Sequence, residues 1–411
     1  MDLATANFEN STMSILFGNG DGTFDAPVNY PSGLYPNDIA TDDFNDDGNA
    51  DVVIANQGGH SVTIYLGNAN GIFSDSSNYS VGQYVDAVTV ADVNNDSIPD
   101  LLTANESSSD ISALIGNGDG TFQPALNSPA PGGIASIAVA DFNNDGWKDV
   151  VYCHILGFNE VIHYFCIQFG DGTGMFSNEV QIDSVRYPID AIGADVNNDG
   201  FADVITADFF ADTASVYYGI GDGTFDPAVG YGAYIEPDAI VMADMNKDNI
   251  PDILAADYGS NGIAVLPGHG DGTFGAYVQD LCVVDPQSLT VDDFNEDGLP
   301  DIASGTTYFG SAYYAIILNC TVTGIDIDPN ENSIVIFPNP VSESLTIRLA
   351  GTTDHTTITI ANVLGQSVFS KRVSHSGESI LVNTSEWSSG IYFITLQTGT
   401  SGSTQKIYKA Y

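Results

Sequence analysis

An acidic nonapeptide recurs six times at nearly constant spacing, and no other feature restricts the fold as tightly. The copies begin at Asp43, Asp92, Asp141, Asp195, Asp244 and Asp293, in steps of 49, 49, 54, 49 and 49 residues. A period of this length means one supersecondary unit stacked many times. Positions 1, 3, 5 and 9 carry side-chain oxygens: Asp43, Asn45, Asp47 and Asp51; Asp92, Asn94, Asp96 and Asp100; Asp141, Asn143, Asp145 and Asp149. The later copies continue with Asp195, Asn197, Asp199 and Asp203; Asp244, Asn246, Asp248 and Asp252; Asp293, Asn295, Asp297 and Asp301. Such donors converge only if the chain curls around a common centre. Position 6 must then turn sharply, and Gly48, Gly146, Gly200 and Gly298 tolerate positive φ there. Asn249 is the next-best substitute and Ser97 a poor one, so the second loop is expected to be the weakest.

The position-7 carbonyls of Asn49, Ile98, Trp147, Phe201, Ile250 and Leu299 add a further oxygen to each set. Hard oxygens without His or Cys favour calcium over zinc or copper, and magnesium ranks second because it demands a smaller octahedral cage. Up to six calcium ions are expected. An EF-hand loop opens similarly but closes on Glu at position 12 between helices. Here the closing Asp is followed by Val52-Val53-Ile54, Leu101-Leu102 or Val150-Val151, so the loop joins strand to strand. The competing reading is a set of plain polar turns. Three carboxylates within a few Å would then repel by roughly 1–4 kcal/mol per pair, a cost recurring six times.

Each loop leads into a short apolar strand such as Val52 to Ala55, a turn, a second strand such as Thr63 to Gly67, and a Gly/Asp-rich hairpin such as Gly18 to Phe24. Asp-Gly between apolar strands signals a hairpin. Phe24, Phe73, Phe122, Phe176, Phe225 and Phe274 keep the repeat spacing and read as wedges between neighbouring sheets. A third strand follows, and a fourth runs into the next loop. Four short antiparallel strands per repeat describe a β-propeller blade, so the fold class is all-β.

These segments resemble the FG-GAP or VCBS-type repeat, the family that includes the integrin α-subunit propeller, with Phe17-Gly18, Phe169-Gly170 and the acidic loop as its marks. The resemblance covers residues 1–320, and Kelch and WD40 signatures are absent. Five extra residues between Asp149 and Phe176 predict a protruding turn around His154 to Glu160. Asp2 to Asn7 aligns with Asp51 to Asn56, so the chain opens at position 9 of a loop, and Asp301 to Asn319 stops after its second strand. Seven units follow from this, giving a seven-bladed ring with strand sharing between the termini as one way to close it. The abrupt start implies further sequence upstream, and no apolar signal region follows Met1.

Beyond a polar linker at 321–333, residues 334–411 carry five of the eight basic residues and alternating strands at Leu345 to Leu349, Thr357 to Ile360, Ile380 to Val382 and Ile391 to Leu396. This pattern predicts a small Ig-like β-sandwich. Phe337 to Pro340, Ala361 to Gln366, Gly390 to Phe393 and Lys406 to Lys409 resemble the type A C-terminal sorting domain of the type IX secretion system. The resemblance implies export by that machinery and a secreted or cell-surface location.

A net charge of −46 excludes nucleic acid and anionic membranes as partners, and no apolar run reaches the ~20 residues of a spanning helix. Cys153 and Cys166 sit on consecutive strands, and Cys282 and Cys320 near the closing seam; a bridge or buried thiols fits each pair. No nucleophile elbow, zinc motif or phosphate loop is present, and the six histidines occupy unrelated repeat positions. The main reading is therefore a binding or adhesion module for a glycan or an extracellular protein. A carbohydrate-active enzyme such as a polysaccharide lyase is the alternative, weakened because the propeller holds only Lys148, Arg186 and Lys247 to neutralise uronates. An accessory module of a larger secreted protein is a third. Tyr35, Tyr84, Tyr187 and Tyr234, beside Asp residues in the inter-blade segments, are the candidate ligand-binding rim. A purely structural packing of those tyrosines is the competing reading.

Overall fold

The computed structural model describes residues 1–319 apart from 74–75, 131–132, 155–163, 184–186, 233–234, 282, 284 and 309–310. Within 333–409 it describes all but 338–343, 351–355, 363–365, 374–378, 386, 388–389 and 399–400. The expected protruding turn, the linker, Tyr234, Arg186, Cys282 and Cys320 lie outside the described residues, the turn except for His154 and the linker except for Ser333. Contacts divide the chain into two compact units, Met1–Asn319 and Cys320–Tyr411.

The first unit contains seven antiparallel sheets among the described residues. Sheet 1 has three strands, Leu3–Asn7, Thr12–Leu16 and Val28–Pro31. Sheet 2 has four, in sequence order: Pro36–Asp42, Asp51–Asn56, Ser61–Tyr65 and Ser76–Ser80. Sheets 3 to 6 repeat that order over 85–129, 134–183, 188–232 and 237–281, and sheet 7 ends at its third strand, Ser311–Ile317. The first strand of each sheet from 2 to 6 packs on the first strand of the next, so these strands surround a common axis.

Burial explains the composition of each strand. The second strands are covered on both faces and every residue of Asp51–Asn56 is buried, so they read as unbroken apolar runs instead of alternating. The outer strands are short, mostly exposed and punctuated by Pro31 and Pro129, which protects an edge from pairing with other chains. The phenylalanine wedges sit where the spacing predicts. Phe122 meets Phe44 edge-on at 5.5 Å and Tyr79 at 5.9 Å, and Phe73 meets Tyr30 at 5.4 Å.

One joint recurs between sheets and also closes the ring. A residue at or just past the end of the strand before each hairpin (Phe17, Leu66, Ile115, Phe169 or Tyr218) lies under a hairpin glycine of the next sheet (Gly71, Gly120, Gly174, Gly223 or Gly272). Leu318 of sheet 7 takes the same place under Gly22 of sheet 1. Backbone hydrogen bonds repeat the pattern: Gly120 N–H donates to the Phe44 carbonyl (3.0 Å), Gly223 to Phe142 (3.1 Å) and Gly22 to Phe294 (3.2 Å). Leu3, Leu16, Phe294 and Ala303 bury a common cluster at the seam. Sheets 1 and 7 share no strand among the described residues, which meet at the seam by packing.

In the second unit, strands Ser333–Phe337, Ser344–Ala350 and Ser379–Asn383 form one sheet. Ser367–Val373, Thr356–Asn362, Gly390–Thr398 and Ser401–Lys409 form the other, in that spatial order. Leu345, Ile347, Ile358, Ile360, Ile380, Val382, Tyr392, Ile394 and Ile407 form one core drawn from both sheets.

Cys153 and Cys166 are buried free thiols. Cys166 stands opposite Tyr152, and Cys153 opposite Phe165, so the one-residue offset turns the two sulfurs to opposite faces of the sheet.

The inter-sheet joint yields a comparison of two glycines with nearly equal φ. Gly48 (φ +82°) has open space where a Cβ would go, whereas a Cβ on Gly120 (φ +80°) would lie 2.6 Å from the Leu66 side chain. Gly48→Ala is expected to lose about 1–2 kcal/mol from left-handed strain alone. Gly120→Ala is expected to lose a further ~1–3 kcal/mol from overpacking. Urea unfolding in chelator checks this, and equal losses would remove the joint from the account.

Candidate functional site

Each acidic loop connects the first and second strands of a sheet, and its oxygens are organised by backbone N–H groups. In the first copy Asp43 accepts from Asp47 N–H (3.1 Å) and Gly48 N–H (2.7 Å), Asn45 accepts from Asp47 N–H (3.0 Å), and Asp47 accepts from Asn49 N–H (2.9 Å). The same contacts recur around Asp92, Asn94 and Asp96, around Asp141, Asn143 and Asp145, and around Asp195, Asn197 and Asp199. They recur again around Asp244, Asn246 and Asp248, and around Asp293, Asn295 and Asp297.

Position 9 behaves differently. Asp51, Asp100, Asp149, Asp203, Asp252 and Asp301 are buried, and each carboxylate spans two segments. One oxygen of Asp51 accepts from Phe44 N–H (2.9 Å) in its own loop, and the other from Gly67 N–H (2.7 Å) at the start of the hairpin. In sheet 7, Asn319 supplies the second N–H to Asp301 at 2.6 Å.

Two left-handed residues shape each loop, where the sequence pattern reveals one. Position 6 has positive φ as expected, including Ser97 and Asn249 (both +66°). Ser97 N–H makes the same 2.7 Å bond to Asp92 that Gly48 makes to Asp43, so the second loop keeps the common shape at the cost of strain in a β-carbon residue. Position 4 is also left-handed in every copy: Asp46, Asn95, Asn144, Asn198, Lys247 and Glu296. The run of Asn and Asp there was the available signal, since those residues enter this region most readily. Apolar position-7 side chains lie on hairpin glycines, Trp147 over Gly172 and Phe201 over Gly221, whereas the Asn49 side chain bonds Asp47.

Among the described residues no three acidic or sulfur and imidazole side chains already stand together as a metal shell. The donor set still suits a hard cation, because it is oxygen throughout and its carboxylates repel one another. Burial, opposed by the two N–H groups, pushes Asp51 above the usual carboxylate range, and repulsion from Asp47 and Asp43 adds to it. Burial does the same for Asp203 and Asp252, with repulsion from positions 1 and 5, and raises Asp100 to about 6.

The tyrosine rim occupies the opposite face, on turns that enter each first strand. Tyr35 (47% exposed) and Tyr84 (40%) present their rings, and Tyr35 stacks on Phe8 at 5.0 Å. Tyr187 does not: it is 5% exposed, covered by Phe209 and Phe210, and Phe210 (39%) is presented in its place. Left-handed backbone marks the equivalent positions, Tyr35, Tyr84, Tyr187, Glu236 and Asp285, so Glu236 and not Tyr234 corresponds to Tyr35. Their carbonyls accept the N–H that follows the second strand, as in Gln57 to Tyr35 (2.9 Å) and Tyr258 to Glu236 (3.1 Å). The packing role and the presented role thus divide among the tyrosines.

Carboxylates gather where these turns meet the axis. Burial raises Asp38, Asp86, Asp190, Asp208 and Asp238 to about 6 each. Folding therefore favours their protonated forms relative to an unfolded carboxylate near 3.9. The folded chain binds more protons between about pH 4 and 6, so stability falls as pH rises through that window. In chelator the melting temperature is expected to be higher at pH 5.5 than at pH 7.5, and the reverse order would contradict these shifts.

Comparison with known proteins matches the FG-GAP-like repeat model to residues 43–103, 92–152, 195–255 and 244–304, together more than half of the chain. The secretion system C-terminal sorting domain model matches residues 335–410. Among solved structures, BBS1N in complex with ARL6DN is 13% identical with a TM-score of 0.50, covering 79% of this chain and 92% of that one. A lectin from Agrocybe aegerita that recognises non-reducing terminal N-acetylglucosamine is 18% identical with a TM-score of 0.49, covering 75% and 88%. No curated protein matches the chain.

Proposed function

The chain belongs to the FG-GAP-like repeat family and carries a secretion sorting domain, as a secreted or surface β-propeller does, and on that premise we propose that it is a calcium-stiffened binding module. Its ligand, a glycan or an extracellular protein, seats on the face opposite the acidic loops. The observation that carries this reading is the set of exposed rings there: Tyr35, Tyr84, Phe210 and Tyr258, beside Leu34 and Ile235. Exposed aromatic rings ringed by polar groups mark recognition surfaces more often than they serve a monomer's stability. Among the described residues no helix is long and apolar enough to cross a membrane.

Calcium supplies positive charge to the loop carboxylates when bound. Positions 1, 5 and 9 of each copy would hold it, with the Asn oxygen of position 3 and the carbonyl of position 7. Extracellular calcium modules bind at roughly 0.1–1 mM, so millimolar calcium contributes about 0.4–1.4 kcal/mol per site. Six sites then change stability by several kcal/mol, and the melting temperature is expected to drop markedly on adding EDTA. Asp199→Asn should remove one site's share of that drop. A midpoint indifferent to EDTA would end the calcium reading.

The ligand face is tested separately. Tyr35→Ala/Tyr84→Ala/Phe210→Ala is expected to abolish binding on glycan and matrix-protein arrays with little change in calcium-dependent melting. Unaltered array binding by this variant would discard the face.

A further inference from the structure

Three first strands, Val85–Ala91, Ile134–Ala140 and Pro188–Ala194, together with loops of sheets 3 and 4, enclose a cavity of about 440 Å³. That volume falls within the roughly 300–1,000 Å³ of small-molecule pockets. Val90, Val139 and Ile192 wall it, each half-buried and packed on an inter-sheet core, so its sides are apolar. Each of the three strands is the terminal strand of its sheet, so its outward N–H and C=O groups have no partner strand.

The polar end of the cavity is formed by Asp92, Asn95 and Lys148. Asp92 is turned to its own loop, accepting from Asp96 N–H (3.1 Å) and Ser97 N–H (2.7 Å). Asn95 joins the two loops by donating to the Gly146 carbonyl (2.9 Å). The Lys148 ammonium has no ion pair or hydrogen bond among the described residues. Lys148 is also the one charged residue at position 8 of a loop, where the other copies carry Ala50, Pro99, Ala202, Pro251 and Pro300. The fold uses that position through its carbonyl: Lys148 lays its own against Gly170 as Ala50 does against Gly67 and Ala202 against Gly219. An alanine suffices for that contact, so the lysine side chain is not required by the joint.

We propose that this cavity is a second binding site, separate from the exposed rings, and that it takes a small organic carboxylate with an apolar body. The carboxylate pairs with the Lys148 ammonium, and the body lies on Val90, Val139 and Ile192. Charge-assisted hydrogen bonds of this kind are about twice as strong as neutral ones. A cationic ligand would be repelled by the ammonium, and a neutral apolar one would cover that charge without pairing it. The net charge of −46 repels anions at long range, but salt screens exposed charges beyond about 8–10 Å, which leaves the contact pair to decide.

The test uses the full chain in millimolar calcium, with phenylacetate, phenylacetamide and phenethylamine as probes in saturation-transfer NMR titrations. Phenylacetate is expected to bind the wild type more tightly than the amide, and the amine not at all. Lys148→Met, which keeps the stem and removes the charge, should weaken phenylacetate roughly tenfold, and Lys148→Arg should restore most of it. Lys247→Met removes the same charge from another acidic loop and should change the affinity less than twofold. Equal losses in the two methionine variants would reveal a general charge effect and overturn the site. Amide binding as tight as the carboxylate's, or no phenylacetate binding by the wild type, would overturn it as well. Lower melting of Lys148→Met in chelator with phenylacetate affinity unchanged would make the lysine a counter-charge for its loop and nothing more. Tyr35→Ala/Tyr84→Ala/Phe210→Ala should keep phenylacetate binding, so this site and the ring face stand or fall separately.

Discussion

A buried carboxylate that ties two backbone segments together is the interaction on which the propeller depends. Asp51, Asp100 and Asp149 each hold one N–H of the acidic loop and one N–H at the start of the hairpin. Asp203 and Asp252 do the same, and Asp301 holds the N–H groups of Phe294 and Asn319. Hydrogen bonds to an ionised acceptor are stronger than neutral ones, and a buried carboxylate is tolerable only when its oxygens are so engaged. The hairpin fixed in this way carries the glycine that seats the neighbouring sheet's side chain. One side chain therefore connects loop shape, hairpin position and the joint between sheets. A cation at the loop would act on the same element, by relieving repulsion among carboxylates that the fold already crowds.

Much of this was legible in the residues because the repeat displays it six times over. Spacing located the loops, the strand runs and the phenylalanine wedges, since each follows from local periodicity. The shared joint was not legible. Leu66 and Gly120 stand 54 positions apart, and nothing local says that one covers the other. Strand sharing at the termini was one way to close the ring, and among the described residues Leu318 and Gly22 repeat the ordinary joint. The tyrosine rim was read by residue type without a register. The left-handed backbone shows that Tyr187 turns inward under Phe209 and Phe210, and that Glu236 replaces a tyrosine in the series.

The two faces of the ring carry different work. Loops and hairpins crowd acidic groups onto one face, where backbone N–H groups organise them. The other face gathers half-buried carboxylates and exposed rings at turns whose backbone is held by carbonyls of left-handed residues. The acidic loops and the presented rings lie apart, which lets turn side chains vary without disturbing the loops. The sorting domain, with its own core, is a separate unit.

Amide hydrogen exchange of Asp203→Ala, read at Val196 and Gly219, tests the carboxylate tie most directly, because those two N–H groups lose their acceptor together. Protection is predicted to collapse across loop 195–203 and hairpin 219–225 while the corresponding segments of sheets 2 and 3 keep theirs. Protection unchanged at both amides would show that the fold holds these segments without the carboxylate, and the account would be wrong at its root.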